Sequence, residues 1–163
     1  MTPSKLLFKI RCLLIFFMFA LVISGATAFP VYSELKWMLE GNTPYQGPGH
    51  DWLLEVWQGV RDTEHQFPFL FYGFDWLAFA HLAIALIFIG PYRDPVRNKW
   101  VIYWAMLACL AVLPLACIAG PIRGIPWYHI VVDCCFGLFG LIPLALLLRW
   151  IGQLEKALEI APK

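Results

Sequence analysis

Four long apolar runs dominate the chain, and polar residues collect in the stretches between them. The runs cover 12–29, 69–90, 100–119 and 127–148; Trp100 to Ala119 holds no charge, the second run is broken only by Asp75 and His81, and the fourth only by His129 and Asp133. A hydrocarbon core of roughly 30 Å needs about 20 apolar residues at a helical rise of about 1.5 Å each. Lipid offers no partner for unpaired backbone groups, so such runs must be helices. The pattern predicts an all-α integral membrane protein: a four-helix transmembrane bundle forming a single membrane domain over residues 1–163.

The first run is the shortest and follows Lys5, Lys9 and Arg11, which is also how a secretory signal peptide begins; Ala26-Thr27-Ala28 supplies a matching cleavage pattern. Proline just after a cut disfavours processing, and Phe29-Pro30 stands there. The run is therefore read as an uncleaved anchor, with three spans as the outcome if it is removed. The remaining topology is the same either way.

Basic residues orient the spans. With the N-terminus inside, Lys5, Lys9, Arg11, Arg93, Arg97, Lys99, Arg149, Lys156 and Lys163 fall on the inner side, and only Lys36, Arg61 and Arg123 of the 12 fall outside. Both termini are expected in the cytoplasm, and the short loops and basic inner flanks suit a bacterial cytoplasmic membrane. Residues 91–99 and Gly120 to Pro126 read as tight turns, so the last three spans are neighbouring and antiparallel. Pro114 and Pro143 lie within spans and are expected to kink them, while Gly137 and Gly140, with alanines at 105, 108 and 111, allow close helix approach.

The outer segment, 30–68, shows a different pattern. Asp51 is placed to cap a helix reaching about Glu64, with Trp52, Leu53, Val56, Trp57 and Val60 on one face and Glu55, Gln58, Arg61 and Asp62 opposite. A shorter helix is expected from Ser33 to Leu39, ended by Gly41. This amphipathic segment packs on the bundle, or lies on the outer bilayer surface or over the bundle mouth. At the other end, 153–163 continues the last span or forms a surface helix.

Composition agrees with a lipid solvent: of 163 residues, 61% are hydrophobic and 14% charged. A net charge of +1 with no basic face excludes nucleic acid as a partner. The five cysteines, 12, 109, 117, 134 and 135, all sit in apolar runs without a CxxC spacing, and read as small packing residues.

Chemistry, if any, rests on ionisable groups in the spans, because a charge at the bilayer centre costs about 3 kcal/mol and faces protein where it occurs. Asp75 and Asp133 are expected about 10 Å below the outer surface, His129 about 4 Å, and His81 near the midplane at the helical rise. His129 and Asp133 share a helix face at a spacing of four. Together with Asp75, and with Arg123, Arg61 or His65 as counter-charges, they define a candidate outward-facing polar pocket: Asp75, His81, His129, Asp133 and Arg123.

The plainest use of these groups is cross-helix hydrogen bonding that fixes packing. A proton or ion relay ranks next, since carboxylates in low dielectric and histidines exchange protons near neutral pH. A metal-dependent hydrolase would need Asp75, His65 or His50 as a third ligand, and no recognised ligand spacing occurs. Haem is disfavoured because His81 and His129 differ by about 12 Å in expected depth. A thiol oxidoreductase is disfavoured because Cys134 and Cys135 point to different sides of one helix and the outer segment has no cysteine. No cofactor or metal is expected. The reading is a non-enzymatic accessory or scaffold component of a cell envelope, partnered by the bilayer and by another protein or a second copy. The alternative is a small transporter, ion relay or membrane-embedded enzyme using the outer pocket.

Overall fold

A computed structural model describes residues 2–160, and among these every regular element is helical: α1 Pro3–Ala28, α2 Val31–Glu40, α3 His50–Gln66, a 3-10 turn Pro68–Phe71, α4 Tyr72–Ile87, α5 Ile89–Arg93, α6 Lys99–Ile122 and α7 Trp127–Ile160. Four helical stretches, Pro3–Ala28, Pro68–Arg93, Lys99–Ile122 and Trp127–Glu159, are long and apolar enough to cross a membrane. The chain divides into two compact units, one of residues 1–19 with 86–163, the other of residues 20–85.

In the first unit, α1 buries Leu6, Ile10 and Leu14, one residue per turn, while α7 buries Leu144, Leu147, Ile151 and Leu154 at alternating spacings of three and four. The inward stripes are short, and the rest of each helix shows its apolar side chains outward. Phe17 packs on Phe88 at 5.0 Å between ring centroids. Lys9 lies over the Trp150 ring, and Arg11 Nε donates to the Tyr92 carbonyl at 3.2 Å. Lys99 Nζ meets Glu155 Oε2 at 3.0 Å, tying the start of α6 to the far end of α7.

The α6–α7 pair is an antiparallel hairpin closed by a Schellman motif. Gly124 adopts φ 72°, a left-handed conformation open to glycine without strain. The Ile125 amide donates to the Gly120 carbonyl and the Gly124 amide to that of Pro121. Along the hairpin, side chains small enough to vanish let the helices touch. A Cβ on Gly137 would stand 2.5 Å from the Cys109 carbonyl oxygen, one on Gly140 2.9 Å from Cys109 Sγ, and one on Gly120 2.7 Å from Ile130 Cδ1. The glycines expected to permit close approach do so, against Cys109 and Val112; of the three alanines, Ala105 is buried and Ala108 and Ala111 are exposed.

The second unit holds α2 and α3, whose Leu35, Leu39 and Trp57 form a buried cluster flanked by Val31, Tyr32, Met38, Leu53, Leu54, Val56 and Val60. Glu55, Gln58, Arg61 and Asp62 face out, as the 3.6-residue pattern predicts. Asp51 is not the cap: Gly49 at φ 79° precedes the helix, no side chain caps it, and Asp51 sits in its first turn. The left-handed glycine turns the chain two residues earlier than the acidic residue suggests, and Asp51 instead complements the positive end of the helix.

Other boundaries also depart from the sequence pattern, beginning with α1, which starts at Pro3 rather than near Cys12. The second apolar run is not one helix, because α4 ends at Ile87 and α5 begins at Ile89. Gly120 and Pro121 lie inside α6 rather than in the turn. The stretch from Gln153 continues α7 to Ile160, the first of the two outcomes expected of it, and 161–163 fall outside the described residues.

Candidate functional site

Of the five residues proposed from sequence, Asp75 and His81 belong to the unit of residues 20–85, and Arg123, His129 and Asp133 to the other. His129 Nε2 and Asp133 Oδ1 are 3.9 Å apart on one face of α7, each side chain rather less than half exposed. Their spacing of four and the straight helical backbone between them account for the approach. At that distance the two form an ion pair when the imidazole carries a proton. Arg123 is the exposed C-cap of α6.

Asp75 occupies the first turn of α4 and is exposed, where its charge complements the helix dipole. His81 is spent locally. Its Nδ1 lies 2.8 Å from the Leu77 carbonyl oxygen, which can only accept, so Nδ1 donates. Beside it, a Cβ on Gly25 of α1 would meet the Ala78 carbonyl oxygen at 2.8 Å and His81 Cβ at 2.9 Å. The histidine therefore sits where two backbones pass closely, a contact that the isolated Gly25 did not announce in the sequence. Asp75 and His81 are six positions apart on α4 and so present different faces.

The remaining histidines flank α3. His50 opens the helix with its Nδ1 buried and without a hydrogen-bond partner, and His65 is exposed in the last turn. Among the described residues, no group of three or more His, Cys, Asp or Glu side chains is arranged to hold a metal ion.

Comparison with protein families, curated proteins and solved structures yields no match. The site must be judged on its own geometry.

Two features went unpredicted. The first is a cleft of about 530 Å³ in the first unit, walled by Pro3, Ser4 and Leu7 of α1, the turn from Arg93 to Arg97, and Leu154 and Leu158 of α7. It lies at the end of the unit opposite the His129–Asp133 pair along α7. Within its turn the Arg97 amide donates to Asp94 Oδ1, and Asn98 Nδ2 donates to the carbonyls of Gly90 and Asp94. The second is a sulfur pair, with Cys117 Sγ of α6 4.0 Å from Cys134 Sγ of α7. The sequence sets Cys134 beside Cys135, whereas the structure sets it beside Cys117. Equal steps out from the 123–126 turn would set Cys117 opposite Val132, two residues short of Cys134, so the pairing is decided by the register of the two helices.

Proposed function

We propose that the chain is a four-span membrane protein that serves as a non-enzymatic accessory or scaffold subunit of a cell envelope. The observation that carries this reading is how little of the spans the chain covers by itself. In the four apolar windows, 17%, 17%, 22% and 17% of residues are buried, leaving the rest to be covered by lipid or by another protein. A helical backbone meets its own hydrogen-bonding demand, as a bilayer requires, except where Pro114, Pro121 and Pro143 remove a donor.

The basic residues at the α1 start, the α5–α6 turn and the α7 end support N-in, C-in insertion in a bacterial cytoplasmic membrane. An uncleaved α1 is supported by what cleavage would remove: Leu6, Ile10 and Leu14 of the core, and the Arg11, Phe17 and Lys9 contacts. The folded α2–α3 pair, with Trp37 79% exposed on the face away from its core, supports a protein-binding role on the outer side. The His129–Asp133 pair favours the second reading, a small transporter or proton relay.

One experiment separates the two. Wild type and Asp133→Asn are expressed as full chains and compared for abundance, processing, transport-linked phenotype and the proteins recovered in mild detergent. The scaffold reading expects equal abundance, an intact N-terminus and the same co-purifying protein from both. A variant that accumulates normally yet loses the phenotype or a bound ion overturns it in favour of the relay.

A further inference from the structure

The Cys117–Cys134 contact sits in the most tightly specified part of the first unit. On its turn side, Gly120 packs against Ile130; on its other side, Gly137 packs against Cys109 and Val112. These approaches share one antiparallel register, so the backbones between them are held close and the sulfurs meet in step with their neighbours. The contact is thus set by helix packing and not by two side chains that happen to reach. A disulfide needs this: its Cα atoms must lie within about 7 Å and its sulfurs about 2.05 Å apart. From 4.0 Å, side-chain rotation has only a short distance to close.

We propose that Cys117 and Cys134 form a redox-modifiable pair, oxidised to an inter-helix disulfide by exchange with an organic disulfide that reaches the turn end of the hairpin. Cys117 is the exposed member and Cys134 the half-buried one, so Cys117 is the first to attack. Its sulfur displaces one donor thiol and forms a mixed disulfide; Cys134 then attacks Cys117 Sγ and displaces the second. One S–S bond forms and the donor's S–S bond breaks. The two cysteines lose two electrons and two protons, and the donor leaves as two thiols carrying them. Reduction by a dithiol runs the same steps backwards.

Selectivity comes from the helix geometry. Cys135 follows Cys134 but points about 100° away around α7. Cys109 lies eight residues from Cys117 along α6, about 12 Å at the helical rise, and its sulfur faces Gly140. The pair itself stands about two turns or less from the helix ends at Ile122 and Trp127, beyond which the exposed 123–124 turn begins. Access for a small disulfide is therefore from that end.

The test treats the full chain in mild detergent with dipyridyl disulfide, denatures it, caps remaining thiols with N-ethylmaleimide and reads the intact mass and the linked peptides. Wild type is expected to lose two hydrogens, to take maleimide on three of its five cysteines, and to give a peptide joining Cys117 to Cys134; dithiothreitol restores all five. Cys135→Ser should form the same bond, and Cys117→Ser should form no disulfide and carry a pyridyl adduct instead. The proposal is overturned if wild type retains five reactive thiols, carries only pyridyl adducts, links Cys134 to a second molecule, or yields a peptide containing Cys135 in place of Cys134. The wild-type measurement stands even if a variant fails to fold.

Discussion

The α2–α3 pair and the turn-side half of the α6–α7 hairpin are both helix pairs, yet they are held together by different means. In α2–α3, large side chains meet: Trp57 is 3% exposed, tilts against Tyr32 at 5.2 Å, and covers Leu35 and Leu39. Its indole Nε1 donates to Glu40 Oε1 at 2.9 Å, and Arg61 adds a longer contact to the same oxygen at 3.9 Å. In the half of α6–α7 nearer its turn the contact is made at Gly120, Gly137 and Gly140, and large side chains such as Leu115 and Phe139 point away, whereas the far half buries Ile102, Leu144 and Leu147. The first is the form that water favours, where burying apolar area is stabilising. The second is the form that lipid would favour, where tails are as apolar as leucine and helices gain chiefly from close van der Waals fit. The contrast is the one that the proposed insertion of α6 and α7, with α2–α3 outside, would produce.

The largest effect should come from Trp57→Ala, which empties the α2–α3 core and should cost about 3–5 kcal/mol of local stability. Protease added on the side of the outer segment should then cut within 31–66 far faster than in wild type, while the α6–α7 fragment survives. Equal cleavage rates would mean the cluster does not hold the pair.

Next comes Gly137→Val, whose branched side chain must displace the Cys109 carbonyl and should cost about 1–3 kcal/mol. Thermal denaturation in detergent should show a lower Tm. Leu115→Ala, removing a far larger side chain that is 66% exposed, should leave the Tm nearly unchanged. If the leucine change costs as much as the glycine change, α6–α7 is stabilised as it would be in water and the contrast fails.

The smallest effect is expected from Glu40→Gln. Glu40→Gln keeps an oxygen acceptor for the indole and loses only the charge facing Arg61, a contact that is nearly half exposed on both sides and worth under about 1 kcal/mol. Glu40→Ala leaves the Trp57 N–H without its partner and should cost about 1–3 kcal/mol. Urea titration of Trp fluorescence ranks the two, and identical midpoints would remove the indole bond from the account.

The candidate pocket was only partly legible. His129 and Asp133 meet because their spacing of four is a property of any helix, which a sequence displays directly. The role of His81 was not, since what occupies it is the carbonyl of Leu77 and the passing backbone at Gly25. Nor was the sulfur pair, because Cys117 and Cys134 belong to different helices and meet only in one register.

By itself the sequence determined the four apolar helical stretches, the inward Leu53, Val56, Trp57 and Val60 of α3 and the polarity of its outer face, though not Leu54 in place of Trp52 against the core, because hydropathy and the 3.6-residue repeat are local properties of a chain. Only the tertiary structure decided where α4 gives way to α5, that Gly49 rather than Asp51 precedes α3, and that Gly120 and Pro121 stay helical. It also decided which glycines receive a neighbouring backbone and which two of the five cysteines face each other. Those outcomes depend on the rotation and register of helices about one another, and contacts between distant residues, which no local pattern encodes, set both.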